Sequence, residues 1–132
     1  MVVMFYSQTD GAQAWQQRLQ QYLPELELRI WPELGALEQI DAALVWKPPA
    51  GLLASLPNLR LILSLGMGVD HIFHDPQLPS GVPITRMLDH DMARQMSQYV
   101  AHAILDHLRQ MSAYRADQAA KRWQPRPLLD SS

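Results

Sequence analysis

Apolar and polar positions follow two different rhythms along this chain, and the change comes near residue 89. Before it, short apolar runs alternate with polar stretches rich in Gly, Pro, Ser and Asp. "VVMFY" (2–6) is β-branched and aromatic and predicts a buried strand. Its exit, Ser-Gln-Thr-Asp-Gly, offers Thr9 or Asp10 as the N-cap of a helix from Ala12 to Tyr22. Trp15, Leu19, Tyr22 and Leu23 recur there at helical spacing, and Pro24 stops it. "LELRIW" (26–31) alternates apolar with charged residues, as a strand near a sheet edge does. "DAALVW" (41–46) is an unbroken apolar run closed by Lys47-Pro48-Pro49, hence a buried strand with a rigid exit. "GLLASLPNL" predicts a short helix ending before Pro57, "RLILSLG" another buried strand, and "VPITR" (82–86) a fifth, short one. Strands separated by short helices imply right-handed crossovers and a parallel sheet covered on both faces. The expectation is an α/β, flavodoxin-like unit over residues 1–88.

From Asp89 onward the period becomes helical. Met92, Met96, Tyr99, Val100, Ala103, Ile104, Leu108 and Met111 recur every three or four residues, with neither Gly nor Pro between them. The pattern predicts one helix over 91–115, about 37 Å long at 1.5 Å per residue. That exceeds what the preceding sheet needs. Such a helix either protrudes to pair with a second chain or opens another domain. "QPRPLLDSS" then reads as a loop, so residues 89–132 form a segment distinct from the sheet.

Composition narrows the picture. The chain has 132 residues, 48% of them hydrophobic and 18% charged, which suits one folded domain rather than disorder. A net charge of -2 gives no broad attraction to nucleic acid or anionic lipid, so neither is an expected partner. Without cysteine there are no disulfides, thiolate chemistry or Cys-based zinc sites, which fits a reducing cytoplasm. "MVVMFYSQTDG" lacks the basic start of a signal peptide, and no apolar run reaches the roughly 18 residues that span a bilayer.

The chemistry concentrates at "LSLGMGVDHI" (63–72), where a buried strand ends in two glycines. Ligands of open parallel sheets bind beyond the carboxyl ends of strands. Gly66 and Gly68 permit φ > 0, and the amides of Met67, Gly68 and Val69 would then form a nest for a small carboxylate. The plainer alternative is a strand-to-helix turn that uses glycine for geometry, with Asp70 as N-cap. The bend lacks the third glycine of a dinucleotide fingerprint. Trp46 and Lys47 leave the neighbouring strand at the same sheet end. They read either as a pocket wall with a cationic rim or as a rim tryptophan beside a solvated lysine.

Taken together, "LGMGVDHI", "DPQLPSGVPITRMLDHDMARQMSQYV" and "Y..DQ....W.P" resemble the N-terminal part of a D-isomer-specific 2-hydroxyacid dehydrogenase, of the bacterial glyoxylate/hydroxypyruvate reductase A type. The resemblance implies two α/β domains with the active site between them. Residues 1–88 would be the flavodoxin-like substrate domain, with Met67, Gly68 and Val69 as the substrate-holding loop and Trp46 and Lys47 bordering a small 2-oxo acid. Residues 89–132 would open a Rossmann domain absent from this chain and form a dimerisation arm, with Met96, Met111 and Trp123 touching a partner subunit. The family's catalytic arginine, histidine and glutamate, like its G-x-G-x-x-G loop, fall beyond Ser132. The resemblance therefore implies NADPH or NADH in the longer enzyme, no cofactor on this piece, and no turnover by it alone. The competing reading is a stand-alone α/β module that dimerises and catalyses nothing.

Other residues attract attention for weaker reasons. His71 and His74 share Asp75 as a neighbour, but three-residue spacing in a loop lacks the fixed helical presentation of a metal pair. His102 and His107 point different ways on a helix. His71, directly after the glycines, is the one histidine placed to matter. Arg86 and Arg94 suit ion pairs with Asp89 or Asp91 better than a carboxylate fork. No G-x-S-x-G elbow occurs.

Overall fold

The computed structural model describes residues 1–127 and 129. It divides into two compact units, Met1–Leu88 and Asp89–Ser132. In the first, β1 (Val2–Tyr6), β2 (Glu27–Ile30), β3 (Ile40–Val45), β4 (Leu61–Ser64) and β5 (Ile84–Arg86) form one parallel sheet in the order β2-β1-β3-β4-β5. This is the flavodoxin-like order expected from the alternation of strands and turns.

Side chains alternate across the pleat and build two cores. Met4, Tyr6, Ala43, Val45 and Ile62 point to one face and meet Leu53, Leu56, Leu59 and Ile72. Val3, Phe5, Ala42 and Leu44 point to the other, where Ala12, Trp15 and Leu19 of α1 (Ala12–Tyr22) pack on them. The first face is closed without a long helix. Single 3-10 turns at Leu37–Gln39 and Leu53–Ser55 and the four-residue α2 (Asp70–Phe73) suffice. The helix expected in "GLLASLPNL" is thus one turn only. Gly51 enters it at φ +79° and Pro57 blocks its extension, leaving just enough chain to bury Leu53.

The start of α1 also departs from expectation. Its N-cap is Gly11, with no side-chain cap. Asp10 is taken up instead by Ser7, whose Oγ donates to its carboxylate at 2.6 Å and accepts its amide at 3.0 Å.

In the second unit the helical period is right and the single helix is not. α3 (His90–Leu108) starts at Asp89, whose carboxylate accepts the amides of Asp91 and Met92 at 2.9 and 3.2 Å. That cap contributes about 1 kcal/mol. The chain then breaks at Gln110, which lies in the left-handed region (φ 53°, ψ 39°), before α4 (Met111–Ala119). A non-glycine residue there costs on the order of 1 kcal/mol, offset by contacts distant in sequence. Gln110 Nε2 donates to Pro127 O at 2.5 Å, and Arg115 of α4 pairs with Asp106 of α3. Neither Gly nor Pro marks the break. Of the loop expected after α4, residues 124–127 and 129 are without regular structure; Leu128 and 130–132 lie outside the described residues.

Candidate functional site

Strand register assembles the site. Val45 pairs with Ser64, and Ser64 with Arg86, so three strands end level with one another. Trp46, the bend 65–69 and Arg86 are thereby brought to one corner of the first unit, at the carboxyl ends of β3, β4 and β5.

Every carbonyl of the bend's tip is taken. Met87 N–H donates to Gly66 O at 3.2 Å, Arg86 Nη1 to Met67 O at 3.3 Å, and Ser64 Oγ to Gly68 O at 2.8 Å. In a planar trans peptide the next residue's N–H points opposite to the carbonyl. Three anchored carbonyls therefore aim the amides of Met67, Gly68 and Val69 away from their anchors, and no acceptor among the described residues takes them. Val69 also lines a hollow of about 440 Å³ with Phe73, Ile84, Thr85, Arg86 and Leu88. Two or three free, oriented amides are what a small carboxylate needs, each bond to a charged acceptor being worth about 1.5–3 kcal/mol.

The means differ from those expected. Gly66 and Gly68 are not in the left-handed region; the glycines with positive φ among the described residues are Gly35, Gly51 and Gly81. Gly66 is demanded by space instead. A Cβ there would stand 2.4 Å from Cζ3 of Trp46, whose ring lies on the backbone of the bend. At Gly68 a Cβ would meet only Asp70 Oδ2, at 4.0 Å. Nor does Asp70 cap α2: the N-cap is Val69, with no side-chain cap, and Asp70 is the first helical residue.

Half-buried Trp46 packs obliquely on His71, ring centroids 4.4 Å apart at 59°, while the Nζ of exposed Lys47 sits 5.8 Å over the indole. Burial holds the His71 imidazole below its ordinary pKa, and Lys47 adds to this against the opposing pull of Asp70. Its Nε2 is buried with no hydrogen-bond partner among the described residues. Lys47 and Arg86 bring positive charge to this corner, with Asp70 as counterweight. Arg86 supports the bend through Met67 O, and within the second unit Arg94 pairs with Asp91, at 3.0 Å. Asp75 accepts the amides of Gly51 and Gln77, both at 2.9 Å, which makes it a loop fastener. No group of three metal-ligating side chains occurs among the described residues.

Sequence reading missed two features. Ser64, 2% exposed, is the one polar residue in "LILSL", and its inward position at a strand end was the available signal. In the second unit, buried Asp117 holds Arg122 at 3.0 Å and Arg126 at 2.5 Å, while the Tyr114 hydroxyl accepts the amide of Arg126 at 2.8 Å. The hydrogen bond from Arg126 holds the Asp117 carboxyl below the usual carboxylate range, and the charges of Arg126 and Arg122 reinforce it against the opposing effect of burial. Around this knot a hollow of about 570 Å³ is bounded by Tyr114, Arg122, Trp123 and Pro125, among others. Met96, Met111 and Trp123 all lie in this unit and are exposed, Trp123 by 94%.

Comparison with known proteins shows what the chain as a whole resembles. No protein-family model matches the chain. Glyoxylate/hydroxypyruvate reductase A of Yersinia enterocolitica is 39% identical over 130 residues, or 95% of this chain and 41% of the relative. The chain is homologous to part of that reductase. A solved D-isomer-specific 2-hydroxyacid dehydrogenase of Xanthobacter autotrophicus, in complex with NADPH and MES, matches with a TM-score of 0.81 at 36% identity, over 96% of this chain and 42% of that one. The NADPH-dependent glyoxylate/hydroxypyruvate reductase of Sinorhizobium meliloti, in complex with NADP and sulfate, gives 0.75 at 29% identity, over 98% and 42%. The resemblance to reductase A proteins and the flavodoxin-like fold expected from sequence are both borne out. The chain spans about two fifths of the length of the relatives it matches, 41% for the Yersinia protein.

Proposed function

We propose that residues 1–88 are the substrate-holding domain of an NADPH- or NADH-dependent reductase that converts glyoxylate or hydroxypyruvate to the 2-hydroxy acid. The observation that carries this is the bend at 66–69, with three tied carbonyls and three unused amides at the end of a parallel sheet. The amides of Met67, Gly68 and Val69 hold the substrate carboxylate, Trp46 walls the pocket, and Lys47 adds positive potential. Fixing the acid end orients the keto carbon for hydride, and orientation of this kind accounts for several kcal/mol of barrier lowering.

The glycine bend does not carry the dinucleotide fingerprint. Gly66 and Gly68 lead into a helix of only four residues, and the third glycine position of a dinucleotide fingerprint is occupied by His71. In this reading the hydride chemistry falls to the part of the relatives' length that this chain does not span. Residues 89–132 begin the nucleotide-binding domain and serve as a dimerisation arm. The exposed side chains of Met92, Met96, Val100 and Ile104 on α3 support this. Met96, Met111 and Trp123 touch the partner subunit in such a dimer. No helix among the described residues is long and apolar enough to cross a membrane, and a cysteine-free enzyme of this kind is placed in the cytoplasm.

The test is an NMR titration of the labelled chain with oxamate, a non-reducible 2-oxo acid analogue. Saturable shifts should centre on the amides of Met67, Gly68 and Val69. Shifts centred elsewhere, or none, would refute the site. With NADPH and glyoxylate the chain alone should oxidise no cofactor, and turnover would show that catalytic groups lie within it.

A further inference from the structure

We propose that Ser64 is a positioning residue that sets the direction of the Val69 amide. The inference rests on the reading of the bend as a carboxylate site and deepens it. Each of the three carbonyl anchors governs one amide, because carbonyl and following N–H share a rigid plane. Met87 N–H on Gly66 O governs the amide of Met67, and Arg86 on Met67 O governs that of Gly68. Ser64 on Gly68 O governs Val69, the residue that also lines the 440 Å³ hollow.

Ser64 is built for this task. It is the last residue of β4, paired on one side with Val45 and on the other with Arg86, so its Cα is held from both neighbours. Its side chain is 2% exposed, and a buried hydroxyl without partners would be costly. It has two: the oxygen accepts Gly66 N–H at 3.3 Å while the proton goes to Gly68 O at 2.8 Å. One hydroxyl thus closes both ends of the tip. Of the three anchors it alone is a buried side chain, Arg86 being exposed and Met87 contributing backbone. An alanine at this position would keep the strand and its packing but release the Gly68 carbonyl, leaving the 68–69 peptide plane free to rotate.

The test compares wild type, Ser64→Ala and Arg86→Ala by amide hydrogen exchange without ligand and by oxamate titration. Ser64→Ala should shift the Val69 amide resonance and release the Gly66 amide to exchange, while Ile62 in β4 keeps its protection. Oxamate affinity should fall about five- to tenfold, the loss of one hydrogen bond. Arg86→Ala should act at Gly68 instead. Unchanged oxamate binding in Ser64→Ala, with wild type binding normally, would overturn the positioning role and leave the substrate site standing. If wild type binds no oxamate, the substrate site falls, and the ligand-free amide spectrum still decides: resonance changes at Val69 and at Gly66, whose amide Ser64 also holds, with β4 unperturbed, support the role, and no change at Val69 defeats it. Loss of protection throughout β4 would mark Ser64 as merely structural and defeat it too. Should Ser64→Ala fail to fold, the same comparison is made with Ser64→Cys, which keeps the volume and weakens the donor.

Discussion

The sheet unit and the helical unit use apolar residues in opposite ways. In Met1–Leu88 the alternating residues of β1, β3 and β4 are spent within the chain: Met4, Ile40, Ala43, Val45 and Ile62 are entirely buried. In Asp89–Ser132 the equally regular stripe of α3 buries no residue at all, and the one buried side chain among the described residues is a charged one, Asp117. The same kind of periodicity thus marks a finished core in one region and an unspent surface in the other. Period reports which residues share a face. What covers that face is a separate matter.

That contrast can be broken by substitution. Ile62→Ala in the sheet core should cost about 2–5 kcal/mol, against less than about 0.5 kcal/mol for Ile104→Ala on α3, both read from urea unfolding of the monomeric chain. A large loss at Ile104 at micromolar concentration, vanishing on dilution, would show the stripe engaged with a second copy.

Gly66→Ala comes next. The added methyl meets Trp46, so destabilisation of about 1–3 kcal/mol is expected, and Trp46→Ala in the same chain should relieve much of it. Gly68→Ala faces open space and should leave the thermal midpoint nearly unchanged. Equal effects at the two glycines would contradict the packing of Trp46 on the bend.

Asp117→Asn sharpens the other side. Replacing the carboxylate by an amide leaves Arg122 and Arg126 without their counter-charge and with one acceptor oxygen in place of two, and exchange protection of α4 should fall while β1 and β3 keep theirs. Because the folded state depresses the Asp117 pKa, its contribution is present above the ordinary aspartate value. It is lost as pH drops toward the lower folded value. Acid should therefore loosen α4 and its tail before it disturbs the sheet.

The smallest effect belongs to His71. Its folded pKa lies below the ordinary value of about 6.5, so the unfolded chain binds the proton more readily. Stability should be full above that value and decline as pH falls from it toward the folded pKa. His71→Gln should flatten this slope in thermal melts recorded between pH 7 and about pH 5; an unchanged slope would assign it to another group.

Much of the sheet was legible because a buried parallel strand must be apolar along its whole length and must end at polar or glycine residues. "VVMFY", "DAALVW" and "RLILSLG" do both. The break at Gln110 was not legible, since the contacts that offset its left-handed backbone come from Pro127 and, across the bend, from the Arg115–Asp106 pair. The glycine bend lay between these cases. Its place at a strand end could be read, but the purpose of Gly66 could not, because the atom that excludes a side chain there belongs to Trp46, twenty residues earlier.

Local sequence by itself determined which segments become strands or helices and which face of each is apolar, because those depend on backbone period and side-chain chemistry. Only the tertiary structure decided that Val45, Ser64 and Arg86 end level, that three carbonyls find donors from β4 and from the end of β5, and that the amides of Met67, Gly68 and Val69 find no acceptor among the described residues. Hydrogen bonds join atoms close in space, and their partners are chosen by strand register rather than by neighbours along the chain.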